Sequence, residues 1–185
     1  MELFPELKIG LMNGWIFLGF HVLIQGSLML IFPKDVNVRL LDRSSWTLMQ
    51  RLFLISGKIF SLGCLFLIIL TPLKTDSVLF PIGILIYILG MVGLVSSMIS
   101  FRNTPQDSIV STGLYNISRH PQIVSLFFLL TGMSIAIGSW IALLALLMSR
   151  ILQHPSIVAE EEACTRYYGD AYRSYAERVP RYLLF

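Results

Sequence analysis

The chain has 185 residues, of which 55% are hydrophobic and only 14% are charged. This composition, together with a mean hydropathy of +0.73, excludes an ordinary soluble domain. Several apolar runs approach the roughly 20 residues that cross a bilayer, which predicts a polytopic membrane protein. The net charge of +3 does not indicate a nucleic-acid partner, because the basic residues form no stripe and lie mostly at helix ends.

The first part of the chain predicts three membrane helices. They are expected at residues 11–32, 52–73 and 78–101. The third carries small residues that favour close helix packing, namely Gly83, Gly90 and Gly93. A polar loop at residues 33–51 contains Leu40, Leu41 and Trp46, a pattern that predicts a short amphipathic segment in the membrane interface.

The second part begins with a polar central loop at residues 102–120. Two short apolar arms follow, at residues 121–137 and 140–152, and predict a tilted or re-entrant helical hairpin. We expect His154-Pro155 to end the second arm and residues 156–185 to form a polar, mostly helical tail. The predicted fold class is therefore all-α, with about five transmembrane helices, the last two a short hairpin, in a single membrane domain over residues 1–185.

The positions of lysine and arginine predict the orientation. With five crossings, the polar loop, the central loop and the tail share the side that holds most of the 14 basic residues, whereas the opposite side has Lys8 and Lys74. We therefore predict a cytoplasmic central loop and tail, with the N-terminus on the opposite side. The two ends of the hairpin must then lie close together, which brings Arg119-His120 near the acidic run Glu160–Glu162.

These charged groups have two interpretations when the residues are considered alone. Arg119 could anchor the chain at the interface, and Pro121 suits the first turn of a helix. The run Glu160–Glu162 could be a solvated helix start, or it could pair with Arg119, with Arg166 or with a cationic ligand. Cys64 and Cys164 lack metal-ligand spacing, and we predict no metal site.

The combination of motifs is more specific. From Val110 to Arg181 the chain has a Gly-Leu-Tyr turn, Arg-His-Pro, an apolar hairpin, a Glu-Glu pair, Tyr168-Gly169 and a final Val-Pro-Arg. This pattern resembles the integral membrane methyltransferases related to isoprenylcysteine carboxyl methyltransferase and the phospholipid N-methyltransferases. The resemblance implies S-adenosylmethionine as cofactor, S-adenosylhomocysteine as product and a lipophilic or prenylated substrate in the bilayer. It also implies that residues 102–185 form the cofactor-binding catalytic part, after three N-terminal helices in residues 1–101.

The resemblance further implies roles for individual residues. The expected catalytic residues are Arg119, His120 and Glu161. The expected cofactor-binding residues are Val110, Gly113, Tyr115, His120, Pro121, Glu160 and Glu161. The expected substrate-binding residues are Arg119, Ile123, Arg178 and Arg181. The chain departs from the family pattern at Ile123, where tyrosine is usual, and at Ser125, where glycine is common.

The sequence does not define the identity of the methyl acceptor. O-methylation of a protein isoprenylcysteine carboxylate, or of a related lipid-like acceptor, is the leading hypothesis, and N-methylation of phosphatidylethanolamine is the alternative. The tail is also similar to the end of the NADPH-dependent sterol reductases, although those chains are typically much longer. A non-enzymatic membrane protein is the remaining hypothesis, and the oligomeric state is left unassigned.

Overall fold

The computed structural model describes residues 1–34, 36, 47–105 and 107–183. Within these ranges the chain is all-helical, as predicted, with six α-helices and no strand. In chain order they are α1 (Trp15–Ile31), α2 (Leu48–Leu70), α3 (Leu79–Arg102), α4 (Pro121–Ala136), α5 (Trp140–Tyr168) and α6 (Asp170–Arg178), with a 3-10 helix at Gly113–Asn116. The predicted amphipathic interface segment lies largely outside the described residues.

Three of these helices, α2, α3 and α5, are long and apolar enough to cross a membrane. Helices α1 and α4 are apolar but shorter, at 17 and 16 residues. The apolar side chains on the outer surfaces of these helices are exposed to the space that lipid would fill, which is the expected arrangement for a helical bundle in a bilayer. The prediction of a polytopic membrane fold is therefore confirmed, and the number of crossings stays a prediction.

Helices α3 and α4 approach each other closely because small residues line their interface. A Cβ atom added at Gly83 would lie 2.7 Å from the backbone nitrogen of Ala136, and one added at Gly90 would lie 2.7 Å from the Cα atom of Leu129. Gly93 similarly faces the Ser125 side chain. The expectation that these three glycines allow close packing is confirmed, and Ser125 belongs to the same interface.

Helix α2 packs along α5 in a second pair. Polar side chains join the two helices at one level: the Ser61 and Ser149 hydroxyls share a hydrogen bond, and Gln153 Nε2 donates to both of them. A Cβ atom at Gly57 would collide with Gln153, so α2 and α5 are also in close contact there. Interhelical hydrogen bonds of this kind add to van der Waals packing within the apolar bundle.

The N-terminal segment closes one end of the bundle. The Glu2 backbone exchanges hydrogen bonds with Gly138 and Trp140 at the turn between α4 and α5, and the Glu2 carboxylate pairs with Lys74 Nζ at 2.8 Å. Gly14 N donates to Thr71 O, so the start of α1 is tied to the end of α2. The central loop and the tail lie together at the other end, where Arg119 N donates to Pro180 O and His120 N donates to Arg181 O.

The second arm of the hairpin differs from the prediction. Helix α5 does not end at His154-Pro155 but continues to Tyr168, so that it has 29 residues in total, with Pro155 inside it. Proline removes one backbone donor, yet packing on both sides of it, against α2 before and against the tail after, keeps the helix continuous. The acidic run therefore belongs to the same helix as the membrane arm.

The α3–α4 interface gives the first prediction. We expect Gly90→Ala to lower the free energy of unfolding by about 1–3 kcal/mol, because its Cβ would force the two backbones apart. Gly63→Ala is the matched control, since nothing lies within 4 Å of a Cβ atom there, and the higher helix propensity of alanine should leave this variant up to about 1 kcal/mol more stable than the wild type. Thermal unfolding in detergent micelles measures both. Equal stability of the two variants would contradict this description of the interface.

Candidate functional site

The central loop turns back toward α3 at Gly113. Its φ of +59° belongs to the left-handed region that favours glycine, and a Cβ atom there would lie 2.6 Å from Ser100 Oγ. The 3-10 helix that follows buries Tyr115, whose carbonyl accepts a hydrogen bond from Tyr175 Oη at 2.8 Å. Gln122 Nε2 donates to Tyr115 Oη at 3.1 Å. These contacts join the loop to both α4 and α6.

The residues just before α4 pair with the C-terminal segment. Arg119 N donates to Pro180 O at 2.9 Å, His120 N to Arg181 O at 3.3 Å, and Ser118 Oγ to Arg181 O at 3.0 Å. The Ser118 hydroxyl also accepts from His120 N. This short backbone pairing fixes the direction of the Arg119 and His120 side chains and places Arg181 beside them.

Glu161 of α5 is the centre of the site. Its Oε1 lies 3.1 Å from Arg119 Nε and 3.2 Å from His120 Nε2, and its Oε2 accepts two hydrogen bonds from Arg181, from Nε at 3.0 Å and from Nη2 at 2.7 Å. The Glu161 side chain is only 9% exposed. An ionised carboxylate can only accept hydrogen bonds, so His120 must carry its ring proton on Nε2 in this arrangement.

The three basic groups differ in how they meet the carboxylate. Arg181 forms the two-pronged contact that a guanidinium and a carboxylate favour, and this hydrogen bonding raises the pKa of Arg181. Arg119 Nε is within ion-pair distance but is buried without a hydrogen bond of good geometry, and Arg119 Nη1 donates to Ala176 O at 3.4 Å. Arg119 therefore keeps unused donor capacity next to the carboxylate.

Helix α6 folds back against α5 through Gly169, whose φ of +61° again favours glycine. Its buried face consists of Tyr172 and Tyr175, which pack with Val179 and with Cys164 of α5. Burial raises the pKa of Tyr175 to about 12, so its hydroxyl stays protonated and donates to the central loop. The Tyr168-Gly169 and Val179-Pro180-Arg181 motifs thus serve to close the C-terminal segment over α5.

A cleft of about 390 Å³ opens between α5, α6, the residues just before α4 and the C-terminal segment after α6. This volume lies in the range of small-molecule sites. The residues that line it are Arg119, Val158, Glu161, Glu162, Thr165, Arg166, Tyr172, Ala176 and Arg181. Acids, arginines and an aromatic ring therefore surround one cavity, which suits a ligand that carries an anion, a cation or hydroxyls, and a flat ring.

The structure brings together some of the predicted site residues. Arg119, His120, Glu161 and Arg181 meet directly, and Pro121 is buried at the first position of α4. Glu160 and Arg178 are exposed and do not line the cleft. Arg178 Nε donates to the carbonyl of Ser174 on its own helix. Ile123 is partly buried on α4.

The remaining predicted cofactor residues lie beside the cleft rather than in it. Val110 and Tyr115 are buried and Gly113 is exposed, and none of them lines the cleft. Sequence reasoning missed Glu162, Arg166 and Tyr172, which do line it. The four-residue spacing of Glu162 and Arg166 indicates that they share one face of a helix. This spacing alone does not indicate that the shared face points into the cleft.

The ionic centre gives the second prediction. Glu161→Gln leaves Arg119 and Arg181 without their shared anion, and we expect a loss of roughly 3 kcal/mol in unfolding free energy, as for the breaking of a mostly buried ion pair. Glu160→Gln is the control because Glu160 is exposed, and it should stay within about 0.5 kcal/mol of the wild type. Thermal unfolding compares the two variants. If Glu161→Gln were as stable as the wild type, the ion cluster would contribute no stability.

Comparison with known proteins identifies the family. Residues 78–171 match the family described as phospholipid methyltransferase. This match covers about half of the chain, from α3 to the start of α6, and includes Arg119, His120 and Glu161. A search of curated proteins returned no match. The family match favours the methyltransferase hypothesis over the reductase and the non-enzymatic one: the chain belongs to the phospholipid methyltransferase family and is a membrane methyltransferase.

Proposed function

We propose that the protein transfers the methyl group of S-adenosylmethionine to a lipid-like acceptor that reaches the site from the bilayer. The observation that carries this proposal is the cleft at Glu161, where acids, arginines and a tyrosine line one cavity at the end of a membrane helix. Members of this family generally use S-adenosylmethionine, and its functional groups suit the residues of the cleft.

The fit rests on donor and acceptor capacity. The Glu161 carboxylate is already surrounded by Arg119, His120 and Arg181, so Glu162 is the acid in the cleft that forms no hydrogen bond or ion pair with the described residues. Glu162 could accept from a ligand ammonium or from a ribose diol. The unused donor capacity of Arg119, and Arg166 across the cleft, could bind a ligand carboxylate. Tyr172 offers a ring beside them.

When bound, S-adenosylmethionine supplies a methyl group that is activated on a sulfonium. The residues of the chain would then contribute alignment and exclusion of water, which dominate a displacement of this kind. The Glu161 cluster holds Arg119 and His120 in fixed positions, and α6 with the C-terminal segment covers one side of the cleft. Catalysis by positioning requires this kind of preorganisation.

Two classes of acceptor match the proposal. A carboxylate acceptor, as in a prenylated cysteine, needs no general base, whereas an amine acceptor, as in phosphatidylethanolamine, must first lose a proton. His120 does not itself line the cleft but contacts Glu161, which does, through Nε2. The Nδ1 atom of a neutral ring is then the nitrogen that could accept that proton. The same site could therefore serve either acceptor, and the two are separated by experiment.

Cofactor binding is the third prediction. Calorimetry with S-adenosylhomocysteine in neutral detergent should show binding to the wild type and about tenfold or more weaker binding to Glu162→Gln, because a charge-assisted hydrogen bond is lost. Glu160→Gln is the matched control, because Glu160 lies on the same helix but outside the cleft, and it should bind like the wild type. Absence of binding to the wild type at high ligand concentration would refute the proposed function.

The acceptor class gives the fourth prediction. In His120→Gln the new amide can still donate to Glu161 but has no ring nitrogen to take a proton. If the acceptor is an amine, the rate constant kcat should fall by about 10²–10⁴. If it is a carboxylate, kcat should change by less than about tenfold. Labelled methyl transfer into phosphatidylethanolamine and into an S-prenylated N-acetylcysteine measures both, and transfer to neither acceptor would contradict both assignments.

A further inference from the structure

The C-terminal segment after α6 is tied to α5 at two adjacent residues. Arg181 donates two hydrogen bonds to Glu161 Oε2, from Nε at 3.0 Å and from Nη2 at 2.7 Å. The hydroxyl of the next residue, Tyr182, shares a 3.0 Å hydrogen bond with His154 Nδ1, and the two ring centroids lie 6.1 Å apart. Because Glu161 and His154 are seven residues apart on α5, about two turns or 10 Å of helix separate the two contacts.

The two contacts together restrict the segment in a way that one contact does not. The backbone hydrogen bonds of residues 180 and 181 lead to the loop before α4, where Arg119 N and His120 N donate, and not to α5. The long Arg181 side chain must therefore reach across to Glu161 through several rotatable bonds. A single ion pair would let the segment pivot around Glu161, whereas a second contact two turns away fixes the direction of the segment along α5.

The surroundings of Tyr182 indicate that this second contact acts locally. The side chain is partly buried, and among the described residues it belongs to neither of the two clusters of buried apolar side chains. Burial raises the pKa of the Tyr182 hydroxyl, so the hydroxyl stays protonated at neutral pH. Loss of the hydroxyl would open no cavity in the apolar core. Its effect should therefore fall on the segment that carries Arg181.

We infer that Tyr182 is a positioning residue: anchored by His154, it holds the neighbouring Arg181 guanidinium against Glu161 and so maintains the arrangement of charges in the cleft. The inference rests on the proposed function, because it gives Tyr182 a role in ligand binding at that cleft. Tyr182 does not itself line the cleft, whereas Arg181 and Glu161 do. The contribution of Tyr182 to binding therefore passes through Arg181.

Affinity for S-adenosylhomocysteine, measured by calorimetry in neutral detergent, tests this role. Tyr182→Phe keeps the ring but removes the hydroxyl, and it should weaken binding by about two- to tenfold, as expected for the loss of one hydrogen bond. His154→Leu removes the partner of the hydroxyl and should weaken binding to the same extent. His154→Asn has a side-chain amide that can still bond to the Tyr182 hydroxyl, and it should restore most of the affinity.

The matched control is Tyr167→Phe. It also removes a tyrosine hydroxyl, but Tyr167 is 70% exposed on α5 and does not line the cleft. This variant should bind S-adenosylhomocysteine within about twofold of the wild type. The inference is wrong if Tyr182→Phe binds like the wild type, or if His154→Asn binds as weakly as His154→Leu.

A double-mutant cycle separates the positioning of Arg181 from a general structural role. Arg181→Lys keeps a cation at the cleft but loses the two-pronged contact with Glu161. In that background, Tyr182→Phe should weaken binding of S-adenosylhomocysteine by less than about twofold, because little is left for Tyr182 to position. An equal loss in both backgrounds would show that Tyr182 acts independently of Arg181 and would overturn the inference.

Thermal unfolding makes the same comparison without a ligand. Tyr182→Phe should destabilise the Arg181→Lys protein less than it destabilises the wild type, and additive effects of the two substitutions would overturn the inference. Failure of the wild type to bind S-adenosylhomocysteine would refute the proposed function. The ligand-free cycle would then still decide whether Tyr182 positions Arg181.

Discussion

A single carboxylate joins three parts of the chain that are far apart in the sequence. Glu161 lies on α5, Arg119 and His120 precede α4, and Arg181 follows α6, and all of them meet within 3.2 Å of its two oxygens. A mostly buried carboxylate is stable only when its lone pairs are filled, so each partner is needed to keep the others in place. The shape of the cleft therefore depends on this arrangement, because Arg119, Glu161 and Arg181 all line it.

Backbone hydrogen bonds also hold the residues of the ion cluster in position, so their positions do not depend on the side-chain contacts alone. The pairing of residues 118–120 with residues 180–181 and the hydrogen bond from Tyr175 to Tyr115 set the central loop against the tail. Glycines at 113 and 169 make the two turns that this requires. The result is a site whose charged groups are preorganised, which is the condition for a reaction that depends on alignment.

Much of this arrangement could be predicted from the sequence, because the relevant signals are local or topological. Hydropathy predicted the helical bundle. The predicted hairpin places its two ends close together, and this connectivity alone brings Arg119-His120 near the acidic run. The particular acid that faces the cluster could not be predicted in the same way, since it depends on the rotation of α5 as fixed by packing against α2. For the same reason Glu162 and Arg166 were missed. The continuation of α5 through Pro155 reflects tertiary packing that overrides a local helix-breaking signal.

Helix α5 has 29 residues and is therefore about 43 Å long, whereas the hydrocarbon core of a bilayer is about 30 Å thick. One continuous helix thus carries a segment long and apolar enough to cross a membrane at its start and Glu161 near its end. In a bilayer that α5 crosses, the height of the cleft above the lipid surface is set by the thickness of the bilayer and the tilt of this helix, rather than by a flexible linker. A membrane of different thickness would move the cleft relative to the lipid head groups by several ångströms. The lipid composition of the membrane would then change how far an acceptor must rise from the bilayer to reach the cleft.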